Sequence, residues 1–236
     1  MALDVYVGSL ARYYAGEWEN IAEKAARERG VQYQIGRPGA SADRLKDPER
    51  IPPAVLAWRS ALSDSLGSKI ALPLDWDEAL EAPYFTGRPG WDGFGSLVLW
   101  AAYAEHPALR QPDTLPEEWD NDPALMRSNV AGFRSRYSHL VRNVELWLPS
   151  PFEFTFEGED IDGRRVVVGS TTTLRRQLDE LNAATWKADA NTVAGWCREP
   201  PAAEAPLDLC ARYAFAVLLD LARRAVEHKL PMKLDY

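Results

Sequence analysis

Three short segments of the sequence place a tryptophan directly beside carboxylates. They are Asp75-Trp76-Asp77, Trp91-Asp92 and Glu117-Glu118-Trp119-Asp120. An indole ring offers stacking and cation-π contact, and a neighbouring carboxylate offers a charge-assisted hydrogen bond. Such pairs suit an arginine or lysine side chain of a partner, or a sugar. The alternative is that the rings are core tryptophans beside solvated acids, because the chain contains nine tryptophans.

The acidic residues are concentrated in the middle of the chain. Between Ile70 and Met126 there are eleven carboxylates and two basic residues, a net charge of −9 within a chain whose net charge is −8. Clustered lysine and arginine are what bind nucleic acid or anionic membranes, so the composition argues against both. A basic protein partner fits better. The alternative is a solvated acidic face that only keeps the protein soluble.

A glycine-rich segment surrounds one of these acids. Glycines at positions 87, 90, 93 and 95 flank Asp92, and the sequence predicts a loop here before a helix that begins at Ser96. Glycine lets the backbone approach a ligand closely. Asp92 is therefore the candidate acid or base of an enzyme acting on a small polar substrate in a cleft at the Gly87–Gly95 loop, with Arg12 or Arg37 holding an anionic group of the substrate. The alternative is that Asp92 caps the helix or bonds its own loop.

A second candidate ligand edge lies near the N-terminus. Val7-Gly8-Ser9 and Val168-Gly169-Ser170 both read as strand ends, and ligands often lie beyond the carboxyl ends of parallel strands. The polar residues expected at this edge are Ser9, Arg12, Tyr14 and Arg37. The alternative is that each Gly-Ser is an ordinary strand exit followed by a helix cap.

No complete catalytic or metal-binding motif occurs in the sequence. Neither a GxSxG, a GxxxxGK[ST] nor an HExxH pattern occurs, and the two cysteines lack CxxC spacing. The sequence therefore predicts neither a metal nor a cofactor and leans against an enzyme. The first ten residues lack a basic start and a long apolar stretch, which predicts a cytoplasmic protein.

The hydrophobic pattern predicts one α+β domain spanning residues 1–236. Strand, helix and strand signals between Leu3 and Ile35 predict a βαβ unit, and Asp162-Gly163 predicts an antiparallel hairpin after two further strands. The expected architecture is a mixed sheet of about five strands packed with several helices.

The remaining segments supply the helices. The pattern predicts helices at 53–66, 171–187 and 206–229, and one long amphipathic helix from Asp122 to Val141. The apolar segment after Ser96 predicts a core helix, in which Trp100 is buried against the 126–141 segment and the C-terminal helix.

Several stretches carry a family resemblance. Tyr6-Val-Gly-Ser-Leu10, Arg12-Tyr-Tyr14, Glu145-Leu-Trp-Leu-Pro149 and Leu230-Pro-Met-Lys-Leu-Asp-Tyr236, with Gly16 and Trp18, resemble an uncharacterised bacterial protein family with no assigned activity. The resemblance implies a bacterial, soluble, single-domain protein and no catalytic residue.

Taken as a sequence, the chain is best interpreted as a non-enzymatic binding protein. Its acidic, Trp-Asp-rich centre would cover a basic surface on another protein, and an immunity-like protein is one form of such a binder. The enzyme with Asp92 as acid or base stays the alternative.

Overall fold

The computed structural model describes residues 3–31, 48–202 and 204–236, and one mixed sheet runs through these ranges. The strands are β1 (Asp4–Val7), β2 (Phe85–Gly87), β3 (Val144–Leu148), β4 (Phe156–Glu159), β5 (Arg165–Ser170) and β6 (Met232–Asp235). The α-helices are α1 (Leu10–Ala15), α2 (Ile21–Glu28), α3 (Ile51–Leu66), α4 (Gly90–Glu105), α5 (Pro123–Ala131), α6 (Ser138–Val141), α7 (Thr171–Ala184), α8 (Ala190–Trp196) and α9 (Leu207–His228). The predicted α+β class is confirmed, with six strands where about five were expected.

The C-terminal strand lies in the middle of the sheet. The strand order is β2-β1-β6-β3-β5-β4, and only β3 and β5 pair in parallel among the described strands. The predicted hairpin is confirmed as β4 and β5, whose turn contains Gly163 with a positive φ of 73°. The predicted βαβ unit contains two parallel strands, of which β1 is the first. In the described residues both neighbours of β1, namely β2 and β6, are antiparallel to it. Residues 32–35 of the unit's second strand lie outside the described ranges.

The sheet separates two hydrophobic layers. On one face, Val5, Trp147 and Met232 pack with helices α4, α7 and α9. On the other face, Leu146 and Val168 pack with α1, α3 and the segment from Ile70 to Trp76. The three acidic-aromatic segments of the sequence are divided between these layers, with Trp91 and Trp119 on the first face and Trp76 on the second. In the described part of the chain, no helix is both long and apolar enough to cross a membrane.

Helix α4 begins earlier than predicted. It starts at Gly90 rather than Ser96, so the expected glycine-rich loop is the end of β2 followed by the first turns of the helix. The prediction for Trp100 was also wrong. Its side chain is only partly buried, and its ring stacks on Trp186 at a centroid distance of 5.2 Å. The fully buried tryptophan is Trp147.

The predicted long helix from Asp122 to Val141 is interrupted. Helix α5 ends at Ala131, and Gly132 follows with a positive φ of 61°. This left-handed backbone breaks the helix, because it is a conformation that favours glycine and cannot continue a right-handed helix. Met126 and Val130, two apolar residues that a continuous amphipathic helix would have placed on its buried side, are 49% and 87% exposed.

A buried histidine makes the stability of this core pH-dependent. His139 in α6 is fully buried, its Nε2 has no hydrogen-bond partner in the described part of the chain, and its ring packs against Gly169. Burial, with a smaller contribution from the Arg176 charge, lowers its pKa from 6.5 to about 3. The unfolded chain therefore takes up a proton that the folded chain does not, and stability is lost as pH falls below the unfolded pKa.

We expect the free energy of unfolding to fall by about 2 kcal/mol between about pH 7 and about pH 5 because of His139. Urea unfolding at both pH values measures this loss. In a His139→Gln variant the same acidification should produce a smaller loss. Equal pH dependence in the two proteins would contradict the assignment.

Candidate functional site

The segment Asp75-Trp76-Asp77 lies beside helix α3. Trp76 is buried, and the Arg59 guanidinium lies 5.1 Å above its ring. Its indole nitrogen donates to Glu78, and the Trp76 carbonyl accepts from Arg59 at 2.6 Å. Asp75 and Asp77 are exposed, and Asp75 lies 3.8 Å from Arg59. The ring face that a partner's cation would need is therefore already covered by the protein's own arginine.

Trp91 and Asp92 occupy the first turn of α4, on the other side of the sheet. Trp91 is partly buried and packs edge-on against the ring of Tyr236, with centroids 5.1 Å apart. Asp92 is exposed. A carboxylate in the first turn of a helix interacts favourably with the helix dipole, which is a sufficient structural reason for an acid there.

Trp119 lies in a notch made by a glycine of α4. A Cβ added to Gly95 would meet Trp119 Cε2 at 2.8 Å, so any larger residue at position 95 would displace the indole ring. Trp119 itself is partly buried, whereas Glu117, Glu118 and Asp120 beside it are exposed. A close backbone approach is thus the reason for Gly95, but the group that approaches is a side chain of the same protein.

The turn that carries Trp119 is fixed at its far end. Asp122 is buried, and its carboxylate accepts hydrogen bonds from the Tyr103 hydroxyl at 3.0 Å and the Ala124 backbone at 2.8 Å. Burial, together with this carboxylate, raises the pKa of Tyr103 to about 12. Asp122 therefore caps α5 and ties residues 119–121 to α4, which holds the neighbouring exposed acids in place.

Exposed carboxylates collect around Trp119. Asp92 is three residues from Gly95 on α4, so it lies on the same side of the helix as the tryptophan notch. We call the exposed residues Asp92, Glu117, Glu118 and Asp120 with Trp119 the α4 acidic surface. None of its four carboxylates forms an ion pair with another residue in ranges 3–31, 48–202 and 204–236.

The structure thus divides the predicted partner-binding residues into two groups. Trp91, Asp92, Glu117, Glu118, Trp119 and Asp120 come together on α4 and its adjoining turn. Asp75, Trp76 and Asp77 lie in the opposite layer. Sequence alone gave no means of separating them, because Arg59 and Gly95, which decide the environment of each tryptophan, are distant in the chain.

Three of the four glycines proposed to line a substrate cleft face the protein's own side chains, whereas a Cβ at Gly90 would meet nothing within 4 Å. A Cβ at Gly87 would meet Val217 and Leu221, and one at Gly93 would meet Ala214 at 3.3 Å. Since Trp119 fills the space at Gly95, these three glycines allow β2 and α4 to pack closely against α9 and the 119–121 turn. Asp92 lies on α4 and Arg12 on α1, helices that pack on opposite faces of the sheet, and Arg37, the other arginine expected to hold an anionic substrate group, lies outside the described residues.

The predicted ligand edge is partly assembled on α1. Ser9 is buried and caps the helix, accepting from the Arg12 backbone at 3.2 Å. The Arg12 guanidinium lies 4.8 Å above the Tyr84 ring, and its Nε is buried without a hydrogen-bond partner in the described part of the chain. Arg37 lies outside the described residues. Ser170, at the end of β5, likewise caps a helix, α7.

Sequence reasoning missed the charged residues beneath α1. Lys233 Nζ lies 3.3 Å from Asp160 Oδ2, and both side chains are almost completely buried. The ammonium group also lies over the rings of Tyr13 and Tyr14, at 5.6 and 6.0 Å. Burial, with the nearby Asp160 carboxylate, raises the pKa of Tyr14. The available sequence signal was the alternation of apolar and charged residues in Met232-Lys-Leu-Asp235, which is typical of a short strand.

Sequence reasoning also missed a carboxylate that binds the N-terminal end of α1. Glu78 accepts from the Ala11 backbone at 2.8 Å, and burial raises its pKa. Within the described residues, no group of three or more histidine, cysteine, aspartate or glutamate side chains is arranged to hold a metal ion. Lys233, Asp160 and Glu78 around α1 are therefore paired with other groups of the protein, whereas the four carboxylates of the α4 acidic surface have no ion-pair partner among the described residues.

The chain was compared with protein-family models, curated proteins and solved structures, and none of them is significantly similar to it.

Proposed function

We propose that the protein binds a basic protein partner through the α4 acidic surface. The observation that carries this proposal is that four exposed carboxylates lie on α4 and the adjoining turn with one tryptophan packed in the Gly95 notch, and that none of the four has an ion-pair partner among the described residues. Lysine and arginine side chains complement both features, because ammonium and guanidinium groups pair with carboxylates and pack on indole rings. An immunity-like protein, which neutralises its partner by covering it, is one class of binder with this chemistry.

The charge of this surface affects both the rate of association and the choice of partner. A patch of one charge sign speeds association with an oppositely charged partner and selects against partners of the same sign. Asp75, Asp77 and Glu81 are also exposed, but their tryptophan is covered by Arg59. These three acids therefore provide a matched control with the same number of charges on a different surface.

The test compares charge reversal at the two surfaces. The probe is a synthetic peptide of lysine and arginine residues around a central serine, which we call the basic peptide. Glu117→Lys, Glu118→Lys and Asp120→Lys together should slow its association at least about tenfold at low ionic strength. The control combines Asp75→Lys, Asp77→Lys and Glu81→Lys, and should retain most of the rate.

The association rates are measured by passing the basic peptide over surface-immobilised protein at two ionic strengths. At about 0.01 M the Debye length is about 30 Å, whereas at about 1 M it is about 3 Å, so the difference between the two variants should disappear at high salt. Equal loss of binding in both triple variants would show that only net charge matters and would contradict a site on α4.

A further inference from the structure

A small pocket lies at the C-terminal end of α4. Its volume is about 230 Å³, and it is lined by Trp100, Tyr103, Ala104, Pro107, Leu109, Gln111 and Thr185. It lies between the last turns of α4, the chain that follows them, and the C-terminal end of α7. Pockets for drug-sized ligands are usually about 300 to 1,000 Å³. This pocket is therefore sized for one side chain rather than for a whole small molecule.

The wall of the pocket is apolar and rigidly supported. Trp100 stacks on Trp186 with an interplanar angle of 11°, and Trp186 in turn packs edge-on against Trp196 and Phe215. The Trp186 indole nitrogen donates to Asp208 at 2.8 Å, which fixes the second ring. Aromatic rings held in this way keep a pocket open without a ligand, so an incoming side chain pays little to organise it.

One polar group of the pocket wall lacks a partner. The Trp100 indole nitrogen is buried and has no hydrogen-bond acceptor in the part of the chain that the structure describes. A buried donor without an acceptor costs free energy, and an indole N–H normally finds one.

The charge around the pocket identifies the kind of chain that would enter it. The chain that leaves the pocket at Gln111 carries Asp113, Glu117, Glu118 and Asp120, all exposed, before it reaches the buried Asp122. Arg110 is the one basic residue between positions 107 and 122. The segment that carries these acids therefore leaves the pocket wall at Gln111 and returns to it at Asp122, which accepts a hydrogen bond from the pocket residue Tyr103.

We propose that the Trp100 pocket receives an apolar side chain of the partner, on a segment where lysine and arginine flank that side chain. This inference rests on the proposed function, since the flanking bases are held by the α4 acidic surface. The pocket contributes the part of the affinity that salt does not screen, because burial of an apolar side chain is not electrostatic. Charge would bring the partner in, and the apolar anchor would slow its release.

Two peptides and two variants test the inference. The basic peptide has a central serine, and a second peptide has phenylalanine in its place. Wild-type protein should bind the phenylalanine peptide about ten- to a hundredfold more tightly, the factor expected for burial of one such side chain. Ala104→Phe, which fills the pocket, should abolish this preference. Ala108→Phe is the matched control, since Ala108 is exposed and does not line the pocket.

The outcomes separate this inference from the proposed function. Equal affinity of wild-type protein for both peptides would overturn the pocket and leave the acidic surface standing. No binding of either peptide at low ionic strength would overturn both. A preference that survives Ala104→Phe as fully as Ala108→Phe would place the apolar contact elsewhere and overturn the pocket. Thr185→Phe fills the pocket from the α7 side and is the second variant if Ala104→Phe impairs folding. It should likewise abolish the preference for the phenylalanine peptide.

Discussion

Replacing Asp160 with alanine should lower the free energy of unfolding by about 3 to 5 kcal/mol, because it leaves the buried ammonium group of Lys233 without its counter-ion. The Asp160 and Lys233 side chains are only 3% and 5% exposed, so water cannot take the place of the lost carboxylate. The same substitution removes Oδ1, which accepts from the backbone of Asp162 and Arg164 and so holds the β4–β5 turn. Urea unfolding measures the loss.

A double variant separates the two causes. Asp160→Ala with Lys233→Met removes the unpaired charge and should recover part of the lost stability, since an apolar pair often replaces a buried ion pair with little cost. Asp220→Ala breaks the exposed pair between α9 residues Asp220 and Arg224 and should cost less than about 1 kcal/mol. If Asp160→Ala were no more destabilising than Asp220→Ala, the buried pair would have no structural importance.

Replacing Trp147 with alanine should cost about 3 to 5 kcal/mol through lost burial and the cavity left behind. Trp147 in β3 is fully buried, and its indole nitrogen donates to the His139 carbonyl at 3.1 Å. Its loss therefore also leaves a buried carbonyl oxygen without this donor. A domain is commonly stable by about 5 to 15 kcal/mol, so the variant should show a large drop in its thermal midpoint.

Trp100→Ala is the informative comparison for that prediction. Trp100 is partly exposed at the pocket and contacts Trp186 on one face, so its truncation should cost less than half as much as that of Trp147. Thermal unfolding of the two variants under one buffer condition gives the comparison. Equal midpoints would mean that the sheet core around β3 and the aromatic group at α7 contribute equally, contrary to their burial.

The elements that sequence predicted well have strong local signals. Helix α9 was predicted at 206–229 and spans Leu207–His228, because its apolar stripe is long and neither glycine nor proline interrupts it. Asp162-Gly163 similarly specified the β4–β5 turn, since glycine there adopts the positive φ that the turn requires.

The elements that sequence reasoning missed depend on distant contacts. Strand β6 is four residues long and contains Lys233 and Asp235, so neither its length nor its hydrophobicity marks a central strand. It forms because β1 and β3 offer open edges on both sides. Helix α4 begins at Gly90 despite glycine's poor helix propensity, because its glycines allow Ala214 and Trp119 to pack closely.

The candidate site was predictable in composition but not in arrangement. The sequence identified every acid and tryptophan of the α4 acidic surface, yet treated Trp76 as equivalent to Trp119. The difference arises from the Arg59 guanidinium over one ring and the Gly95 notch beneath the other. Neither contact follows from the residues adjacent to the tryptophans.

Titration of the indole N–H signals with the basic peptide tests the central claim most directly. The nine tryptophans give one side-chain signal each in a ¹⁵N-labelled sample, and single Trp→Phe variants assign them. If the α4 acidic surface binds bases, the Trp119 signal should shift on addition of the peptide and return when the salt concentration is raised. The Trp76 signal, beneath Arg59, should stay in place. A shift of Trp76 with no change at Trp119 would contradict a binding site on α4.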